Sequence, residues 1–395
     1  MSVVGIIAEF NPFHSGHKHI IDSVKAGGDT VVCIISGNFV QRGDTAVISK
    51  AQRARFALAC GADVAAELPV LWSMSTAQNF ALGGVSQAYH LGCDKIVFGS
   101  ECGDIALLKN AADVLCSDAF SALVTEKSAA GVTFAAAREE AAVQLGVPEG
   151  LLSSPNDNLG IEYIIASKRL GISQLIDFEC VKRVGAAHDS DSVCDGFVSA
   201  SYLRECLREG RLGYADRFMP KEIRGLIKAE DISDPARLET AVLACLRTKT
   251  ESEFKNLPDI SEGLENKLYF SIRNATGLDE LCEAVKTKRY TMARVRRLVL
   301  SAFLRFDKKF FMTPPPYVRL LGISKRGEEH LRTLASVIPI ITRVSSIREL
   351  DGFSKEVFET ECRATDLYAL SFKPARECGA EYKYKFIVAK QGNTC

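Results

Sequence analysis

Short apolar runs alternate with longer amphipathic stretches through the first half of the chain. After an opening run that begins at Val3, patterns typical of buried strands occur at Thr30 to Ile35, Val64 to Leu68, Lys95 to Gly99 and Asp177 to Val181. Helical periodicity fills the intervals, as at Lys50 to Cys60 and Ser75 to Leu91. This alternation is typical of β-α-β units, so we expect a doubly wound parallel sheet of the α/β class.

Strand patterns fade beyond about Tyr214, and helical periodicity dominates the rest of the chain. It covers Pro220 to Ala229, Asp234 to Thr248, Gly263 to Asn274, Leu278 to Val285 and Lys325 to Val337. The chain has 395 residues, which is more than one ordinary domain needs. We therefore expect two domains, residues 1–213 around the parallel sheet and residues 214–395 mainly α-helical.

The turn after the opening run carries the most informative motif. Asn11-Pro12 stops the strand, because proline donates no ladder hydrogen bond. His14-Ser15-Gly16-His17 then leads into a helix. A strand, a glycine-containing turn and a helix N-terminus form an anion site, since free backbone N–H groups and the helix dipole both favour phosphate.

His14 and His17 add side-chain donors to this turn. Both imidazoles can reach a single phosphoryl group and stabilise the charge that develops during its transfer. The alternatives are surface or helix-capping histidines, and a metal site. The metal site is the weaker of these, because only two of the six histidines lie here and the chain has no Cys-x-x-Cys pair.

Polar loops follow several of the predicted strands and should meet at one edge of the sheet. They are Ser36 to Gly43, Glu67 to Pro69, Gly99 to Glu101 and Arg183. The segment Ser199 to Arg204 is a serine-rich helix start with an arginine in its first turns, which suits the far phosphates of a nucleotide. Convergence of these loops predicts a pocket at the carboxyl ends of the strands.

Composition narrows the class of protein. The formal net charge is +0, 25% of residues are charged, and we see neither a membrane span nor a signal peptide, so we expect a cytoplasmic protein without a membrane partner. The 13 cysteines are odd in number and scattered, which favours reduced thiols over disulfides.

One segment has a strong excess of positive charge, because Lys286 to Lys309 holds nine basic residues against the single acid Asp307. It predicts either a solvated amphipathic helix or a surface for nucleic-acid phosphates.

These motifs resemble those of the HIGH-type nucleotidyltransferase superfamily, and within it the tRNA(Met) cytidine acetate ligases. The matching segments are Gly5 to His17, Ser36 to Gly43, Phe98 to Glu101, Pro155-Asn156, Ser199 to Arg204 and, more loosely, Ala293 to Ala302 and Ala364 to Tyr368. The resemblance implies a Rossmann-like nucleotidyltransferase domain that binds ATP, followed by a mainly helical domain that binds tRNA. It also implies a ligase that forms acetyl-adenylate and pyrophosphate from acetate and ATP, and then acetylates N4 of the wobble cytidine, position 34, in elongator tRNA(Met).

The resemblance also implies an ATP-binding set. It comprises Ile7, Ala8, Glu9, Phe10, Asn11, Pro12, Phe13, His14, Ser15, Gly16, His17, Lys18, His19 and Ile20, joined by Gly99, Asn156 and Arg183. We expect His14 and His17 to act at the α-phosphate, as the catalytic residues. We expect Ser199, Ser201 and Arg204 to hold the β and γ phosphates.

Two further groups of residues are assigned to the other substrates. A polar and basic group near the pocket could bind acetate, pyrophosphate or the incoming cytidine, or serve only loop structure, and consists of Asn38, Gln41, Arg42, Lys50 and Arg53. The candidates for tRNA contact are Arg289, Arg294, Arg297, Arg305 and Lys308. Magnesium is expected to accompany ATP, whereas a protein-bound structural metal and an obligate protein partner are not expected.

Two other functions are compatible with the motifs. One is a small-molecule adenylyltransferase of the coenzyme type, against which the long helical half argues. The other is a non-catalytic RNA-binding protein that keeps a nucleotidyltransferase fold, against which the intact His14-Ser15-Gly16-His17 motif argues.

Overall fold

A computed structural model describes residues 2–183, 199–261, 263–287 and 289–389 of the chain. At its centre is a sheet whose strands include both early and late parts of the sequence. The strands are β1 (Val3–Ala8), β2 (Thr30–Ser36), β3 (Phe39–Val40), β4 (Asp44–Thr45), β5 (Val64–Leu68), β6 (Lys95–Ser100), β7 (Asp177–Lys182), β8 (Val318–Ile323), β9 (Ile340–Ile341) and β10 (Ile387–Val388).

The main sheet has the order β10-β8-β5-β2-β1-β6-β7, and β9 pairs with β8. Strands β5, β2, β1, β6 and β7 run parallel, with Val3 opposite Thr30 and Lys95 opposite Asp177. These five strands confirm the doubly wound α/β sheet, and β2, β5, β6 and β7 each end within one residue of the predicted position. Every residue of β2 is buried, as expected for a parallel strand covered by helices on both faces.

Strand β8 was not predicted and changes the description of the C-terminal half. It pairs antiparallel with β5, with Val64 opposite Ile323, and it is buried along its whole length. The sheet therefore continues into residues that lie far beyond residue 213. The boundary between residues 213 and 214 stays a prediction, but the central sheet is not confined to the first segment.

Helices cover both faces of the sheet and form most of the second half of the chain. They are α1 (Ser15–Ala26), α2 (Lys50–Ala59), α3 (Val70–Ser73), α4 (Ala77–His90), α5 (Ile105–Leu115), α6 (Asp118–Ala129), α7 (Phe134–Gln144), α8 (Pro155–Arg169), α9 (Ala200–Arg208), α10 (Leu212–Ala215), α11 (Glu239–Arg247), α12 (Glu251–Phe254), α13 (Leu264–Asn274), α14 (Leu278–Val285), α15 (Met292–Phe303), α16 (Lys325–Arg332) and α17 (Gly352–Tyr368). The segment Pro220 to Ala229, predicted as a helix, forms turns instead.

Alternation along the strands divides the apolar core into two layers. Ile7 of β1 packs in one layer with Ile34 of β2, whereas Ile6 and Ile35 pack in the other. The first layer also contains residues of α11, α13, α14, α15 and α17, so the C-terminal helices share the core of the sheet.

Two sequence-based expectations concern the surface of the molecule and its thiols. All eleven cysteines among the described residues are free, as expected for a chain without disulfides. In the same part of the chain, none of the helices has the length and apolar character that crossing a membrane requires.

Candidate active site

A cavity of about 240 Å³ lies at the carboxyl ends of the parallel strands. It opens where the chain order reverses, because β1 pairs with β2 on one side and with β6 on the other. Such a switch point is the usual ligand site of a doubly wound sheet. The cavity is lined by Ile6, Ile7, Ala8, Glu9, Phe10, Asn11, His14, His17, Ile20, Gln41, Arg42, Phe80, Phe98, Gly99, Pro155, Asn156, Leu159, Tyr163, Arg183, Ser199, Ala200, Ser201 and Arg204.

Three helix N-termini meet at this cavity. Helix α1 begins after His14, α8 begins at Pro155 and α9 begins after Ser199, and residues at each of these ends line the wall. Each N-terminus presents backbone N–H groups and the positive end of a helix dipole. Together they form an environment that suits several phosphate groups.

The two histidines both cap α1 and face the cavity. Nδ1 of His14 accepts a hydrogen bond from the backbone N–H of Gly16 at 3.1 Å, and Nδ1 of His17 accepts one from the N–H of His14 at 3.3 Å. In a neutral imidazole whose Nδ1 is an acceptor, Nε2 carries the proton. The cap therefore leaves both Nε2–H groups as donors, so capping and phosphate binding are compatible roles for these rings.

Burial keeps these rings neutral. The pKa of His14 is lowered to about 3, first by burial and then by the positive charges of Arg183 and Arg204. The pKa of His17 is also lowered well below its ordinary value, by burial first and then by His14 and Arg183. The rings stack on each other with their centroids 3.8 Å apart. At neutral pH they are therefore a fixed pair of uncharged donors.

Gly16 is required by the ring of His14. A Cβ at position 16 would lie 2.9 Å from Cε1 and 3.1 Å from Nδ1 of that ring, which is closer than van der Waals contact allows. The imidazole of His14 itself therefore occupies the space beside Gly16.

Arg204 fixes the wall opposite the histidines. Its Nη1 donates to the backbone carbonyl of Asn11 at 2.9 Å, and its Nη2 donates to Oγ of Ser201 at 3.0 Å. The hydroxyl of Ser199 accepts from the N–H of Tyr202 and so caps α9. The arrangement joins the loop after β1 to the start of α9 and places one guanidinium at the cavity wall.

The start of α8 is held by a carboxylate from β6. Glu101 accepts hydrogen bonds from the backbone N–H groups of Asn156 and Asp157 at 3.1 and 3.0 Å. Asp157 is buried and turned toward β6, where it accepts from the N–H of Glu101, and Asn158 accepts from Arg138. Of the residues 156 to 158, Asn156 is the one that lines the cavity.

Most of the residues predicted to bind ATP or substrate lie together at this cavity. Those that line it are Ile7, Ala8, Glu9, Phe10, Asn11, His14, His17, Ile20, Gly99, Asn156, Arg183, Ser199, Ser201 and Arg204, together with Gln41 and Arg42. The remaining members of the 7–20 segment do not, namely Pro12, Phe13, Ser15, Gly16, Lys18 and His19. Phe13 is in the core, Ser15 donates to the carbonyl of Phe218, and Lys18 pairs with Asp22.

Lys50 and Arg53 are placed in the interior, not at the cavity, which corrects their assignment to substrate. Lys50 is 3% exposed and is paired with Glu67, Glu361 and Glu381. Arg53 is 0% exposed, and its guanidinium donates to the backbone carbonyls of Ile48, Glu9, Ser36 and Gly37. Both side chains are buried and held by partners within the protein, so neither faces the cavity.

Asn38 is also structural. Its Oδ1 accepts from the N–H of Lys50 at 2.9 Å and its Nδ2 donates to Thr365 at 3.1 Å, and the residue is buried. This contact links the loop after β2 to α17. Asn38 is therefore removed from the substrate-binding group as well.

The basic helix α15 has two distinct sides. Arg294 and Arg297 are half-buried and pair with Asp259 at 3.1 and 3.5 Å, and Arg297 also donates to the carbonyl of Gln41. Their assignment to tRNA contact stays a prediction, and both guanidinium groups already have a partner within the protein. Arg289, Arg305 and Lys308 are exposed, as is Arg296, which the sequence-based set omitted.

Sequence reasoning missed the apolar walls of the cavity. Ile6, Phe80, Phe98, Leu159 and Tyr163 come from two strands and two helices, and their patterns are those of ordinary core residues. Only their convergence at the end of the sheet distinguishes them. In the described ranges no group of three or more His, Cys, Asp or Glu could hold a metal ion.

Comparison with protein families and known relatives gives a consistent result. Residues 1–382 match the model of a family described as HIGH Nucleotidyl Transferase. The chain is 35% identical over 403 residues to a tRNA(Met) cytidine acetate ligase of Thermoanaerobacter sp. (strain X514), covering 98% of this chain and 100% of that protein. A protein of the same name from Caldanaerobacter subterraneus subsp. tengcongensis is 36% identical over 396 residues, covering 94% of this chain and 96% of that protein.

Solved structures agree with the sequence relatives. The crystal structure of Thermotoga maritima TmcAL bound with alpha-thio ATP matches with a TM-score of 0.89 at 30% identity, covering 98% of this chain and 100% of that chain. The structure of the same protein without ligand matches with a TM-score of 0.88 at 31% identity. The similarity therefore extends over both halves of the chain.

Proposed function

This chain belongs to the tRNA(Met) cytidine acetate ligase family of HIGH nucleotidyl transferases, and from that premise we propose that it acetylates tRNA through an acetyl-adenylate. It is an enzyme, and its role is that of an ATP-dependent ligase. In the proposed reaction, acetate and ATP give acetyl-adenylate and pyrophosphate. The acetyl group then passes to N4 of the wobble cytidine, position 34, of elongator tRNA(Met).

The observation that carries the proposal is the pair of stacked histidines at the N-terminus of α1. Adenylation requires acetate to attack the α-phosphate in line, so the protein must position the reactants and stabilise negative charge. The two Nε2–H groups of His14 and His17 are uncharged donors held by the helix cap, and they need no reorganisation during the reaction. We assign them to the α-phosphate.

The remaining phosphates are assigned to the start of α9. Ser199, Ser201 and Arg204 line the same cavity, and the guanidinium of Arg204 is a charged donor that suits a phosphate. Arg183 enters from the end of β7 and adds a second positive charge. In this proposal magnesium enters as part of the MgATP substrate.

The acceptor tRNA is assigned to the exposed basic side of the C-terminal half. Arg289, Arg296, Arg305 and Lys308 are exposed on or beside α15. This helix packs against the β3–β4 hairpin, where Arg297 donates to Gln41, and Gln41 lines the cavity. A tRNA held along α15 would therefore have its reactive base near the adenylate. Phosphate contacts of this kind position RNA without reading its sequence.

The reaction can be tested with purified enzyme, ATP, labelled acetate and bulk tRNA. We expect label in tRNA and release of pyrophosphate that depends on acetate. His17→Ala should lower the rate of pyrophosphate release about 10²-fold to 10³-fold, the usual effect of removing one preorganised donor. His90→Ala is the matched control, because His90 lies at the end of α4 and does not line the cavity.

Absence of acetylation in every tRNA would overturn the acceptor assignment. Equal loss of pyrophosphate release in His17→Ala and His90→Ala would show that His17 supports the fold and not the reaction.

A further inference from the structure

A second cavity, of about 390 Å³, adjoins the first. The two cavities share one wall, formed by Glu9, Asn11, Arg42, Ser201 and Arg204. On its far side the second cavity is bounded by Val40, Asp44, Glu205, Arg208, Glu209 and Arg296. Its volume is in the range of sites that hold small organic groups. A group that enters it therefore approaches the nucleotide cavity from the side of α15.

The second cavity carries charges of both signs. Four arginines line it, namely Arg42, Arg204, Arg208 and Arg296, and four carboxylates lie beside them, namely Glu9, Asp44, Glu205 and Glu209. Arg208 is paired with Asp44 at 3.2 Å, which holds its guanidinium at the rim. Arginines in this arrangement can bind the phosphates that flank a base, while the base itself is placed in the cavity.

Glu9 is the carboxylate in the shared wall, and its position is fixed. Its Oε1 accepts a hydrogen bond from the backbone N–H of Gln41 at 2.9 Å. Its backbone carbonyl accepts one from Nη1 of Arg53 at 2.6 Å. Glu9 lines both cavities, so its carboxylate borders a group bound in either one.

We propose that Glu9 is the general base of the transfer step, accepting a proton from the amine that enters through the second cavity. The inference rests on the proposed function. The amine nitrogen forms a bond to the acetyl carbon, and the bond between that carbon and the phosphate oxygen of acetyl-adenylate breaks. AMP leaves with the electron pair, and the amine proton moves to the carboxylate of Glu9, from which it passes to water.

The acceptor makes such a base necessary. The lone pair of the exocyclic amine of cytosine is delocalised into the ring, so the amine is a weak nucleophile until a proton is removed during attack. Burial raises the pKa of Glu9, and the N–H of Gln41 and the guanidinium groups of Arg204, Arg42 and Arg53 oppose that rise. A carboxylate with a raised pKa is a stronger base when it is ionised.

The test separates formation of the adenylate from transfer of the acetyl group. Hydroxylamine is a strong nucleophile that traps acetyl-adenylate as acetohydroxamate without needing a general base. In Glu9→Gln we expect single-turnover acetylation of tRNA to fall about 10²-fold or more, the usual effect of losing a general base. Because Glu9 also lines the nucleotide cavity, acetohydroxamate formation reports any separate effect on the adenylate, and acetylation of tRNA should fall at least about tenfold further than it.

The dependence of the transfer rate on pH distinguishes a general base from a residue that only supports the fold. Transfer by the unaltered enzyme should rise with pH through the pKa of Glu9, and in Glu9→Gln that rise should be absent. Glu162→Gln is the control, because Glu162 is a buried carboxylate paired with Arg138 and lines neither cavity. It should keep both activities.

Three results would overturn the inference. Parallel loss of acetohydroxamate and acetylated tRNA in Glu9→Gln would place Glu9 in nucleotide binding. Transfer by Glu9→Gln at the unaltered rate, with the same pH profile, would exclude it as the base. An unaltered enzyme that forms neither product would overturn the proposed function itself, and the inference with it.

Discussion

The two histidines of the His-x-Gly-His motif show how one side chain can serve both fold and chemistry. Each ring uses Nδ1 to cap α1 and keeps Nε2–H for the cavity. The sequence analysis treated capping and phosphate binding as alternatives, because the motif alone does not show which nitrogen faces which partner. The hydrogen bonds of the backbone determine the tautomer, and so they determine which atoms remain for a ligand.

Neutral buried histidines predict a loss of stability in acid. The pKa of His14 is lowered to about 3 in the folded protein, and that of His17 is lowered as well, whereas unfolded histidine titrates near pH 6.5. Below pH 6.5 the unfolded chain therefore binds more protons, and the free energy of unfolding falls as pH falls. Each ring should contribute a loss of about 1 kcal/mol per pH unit.

Urea denaturation at pH 7.5 and 5.5 measures this contribution. We expect His14→Gln to lose less stability than the unaltered protein over that interval, since its side chain does not titrate. An equal loss in both proteins would show that His14 takes up its proton in the folded state.

Charged residues inside helices were the hardest positions to predict. Lys50 and Arg53 lie one turn apart at the start of α2, next to a loop with ligand-binding character, so their charges favoured a role in substrate binding. What the sequence did not show is that Glu361 and Glu381, more than 300 residues away, lie against Lys50. Long-range ion pairs have no local signature, and their partners are known only once the chain has folded.

At the scale of elements, the β3–β4 hairpin is the link between the cavity and the basic helix. It carries Gln41 and Arg42 in its turn, and both line the cavity. Gly43 follows with a φ of 72° and packs directly on α15, where a Cβ would lie 2.6 Å from the backbone nitrogen of Arg297. A side chain at this position would therefore separate the hairpin from the helix.

Gly43→Ala and Gly28→Ala form a matched pair that tests this contact. Gly28 has a φ of 78° but has nothing within 4 Å of its Cβ position, so alanine there should cost only the strained backbone, about 1 kcal/mol. Gly43→Ala should cost about 2 kcal/mol more, because the hairpin must move off α15. It should also lower tRNA acetylation, since Gln41 and Arg42 move with the hairpin. Equal destabilisation of the two variants in urea would contradict this role for α15.

The elements that sequence reasoning recovered are those with a strong local pattern. The strands β2, β5 and β6 are short, mostly apolar runs, and their predicted bounds are nearly those observed. Strand β8 was missed because it stands alone among helices and pairs antiparallel with β5, across more than 250 residues. Between Asp104 and Val147 the chain forms three helices, since Ser117 and Thr133 each cap a new one.

At the scale of the whole molecule, a buried group of charges joins the two halves of the chain. Lys50 and Glu67 come from the first half, whereas Arg319, Glu361 and Glu381 come from the second. The pKa of Glu67 is raised to about 8, first by burial and then by the charge of Glu361. The cluster places two cations, Lys50 and Arg319, among the three carboxylates, and this pairing offsets the cost of burying the charges.

This cluster and the shared core predict that the halves unfold together, although the sequence suggested two domains. Trp72, the one tryptophan of the chain, is buried in the core layer that also holds α11 and α17. Its fluorescence and the far-ultraviolet circular dichroism of the whole chain should therefore follow one coincident transition in urea. Two separate transitions would instead support a division near residue 213.

The substitution Lys50→Met tests the size of this coupling between the two halves of the chain. Removing the cation leaves buried carboxylates without their partner, which should lower the free energy of unfolding by about 3–5 kcal/mol. Both probes should shift by the same amount, because the cluster contacts β5, β8 and α17 at once. Lys95→Met is the control, since Lys95 pairs with Glu179 at the surface and should cost no more than about 1 kcal/mol. A shift confined to the fluorescence of Trp72 would mean that the C-terminal half keeps its fold without this cluster.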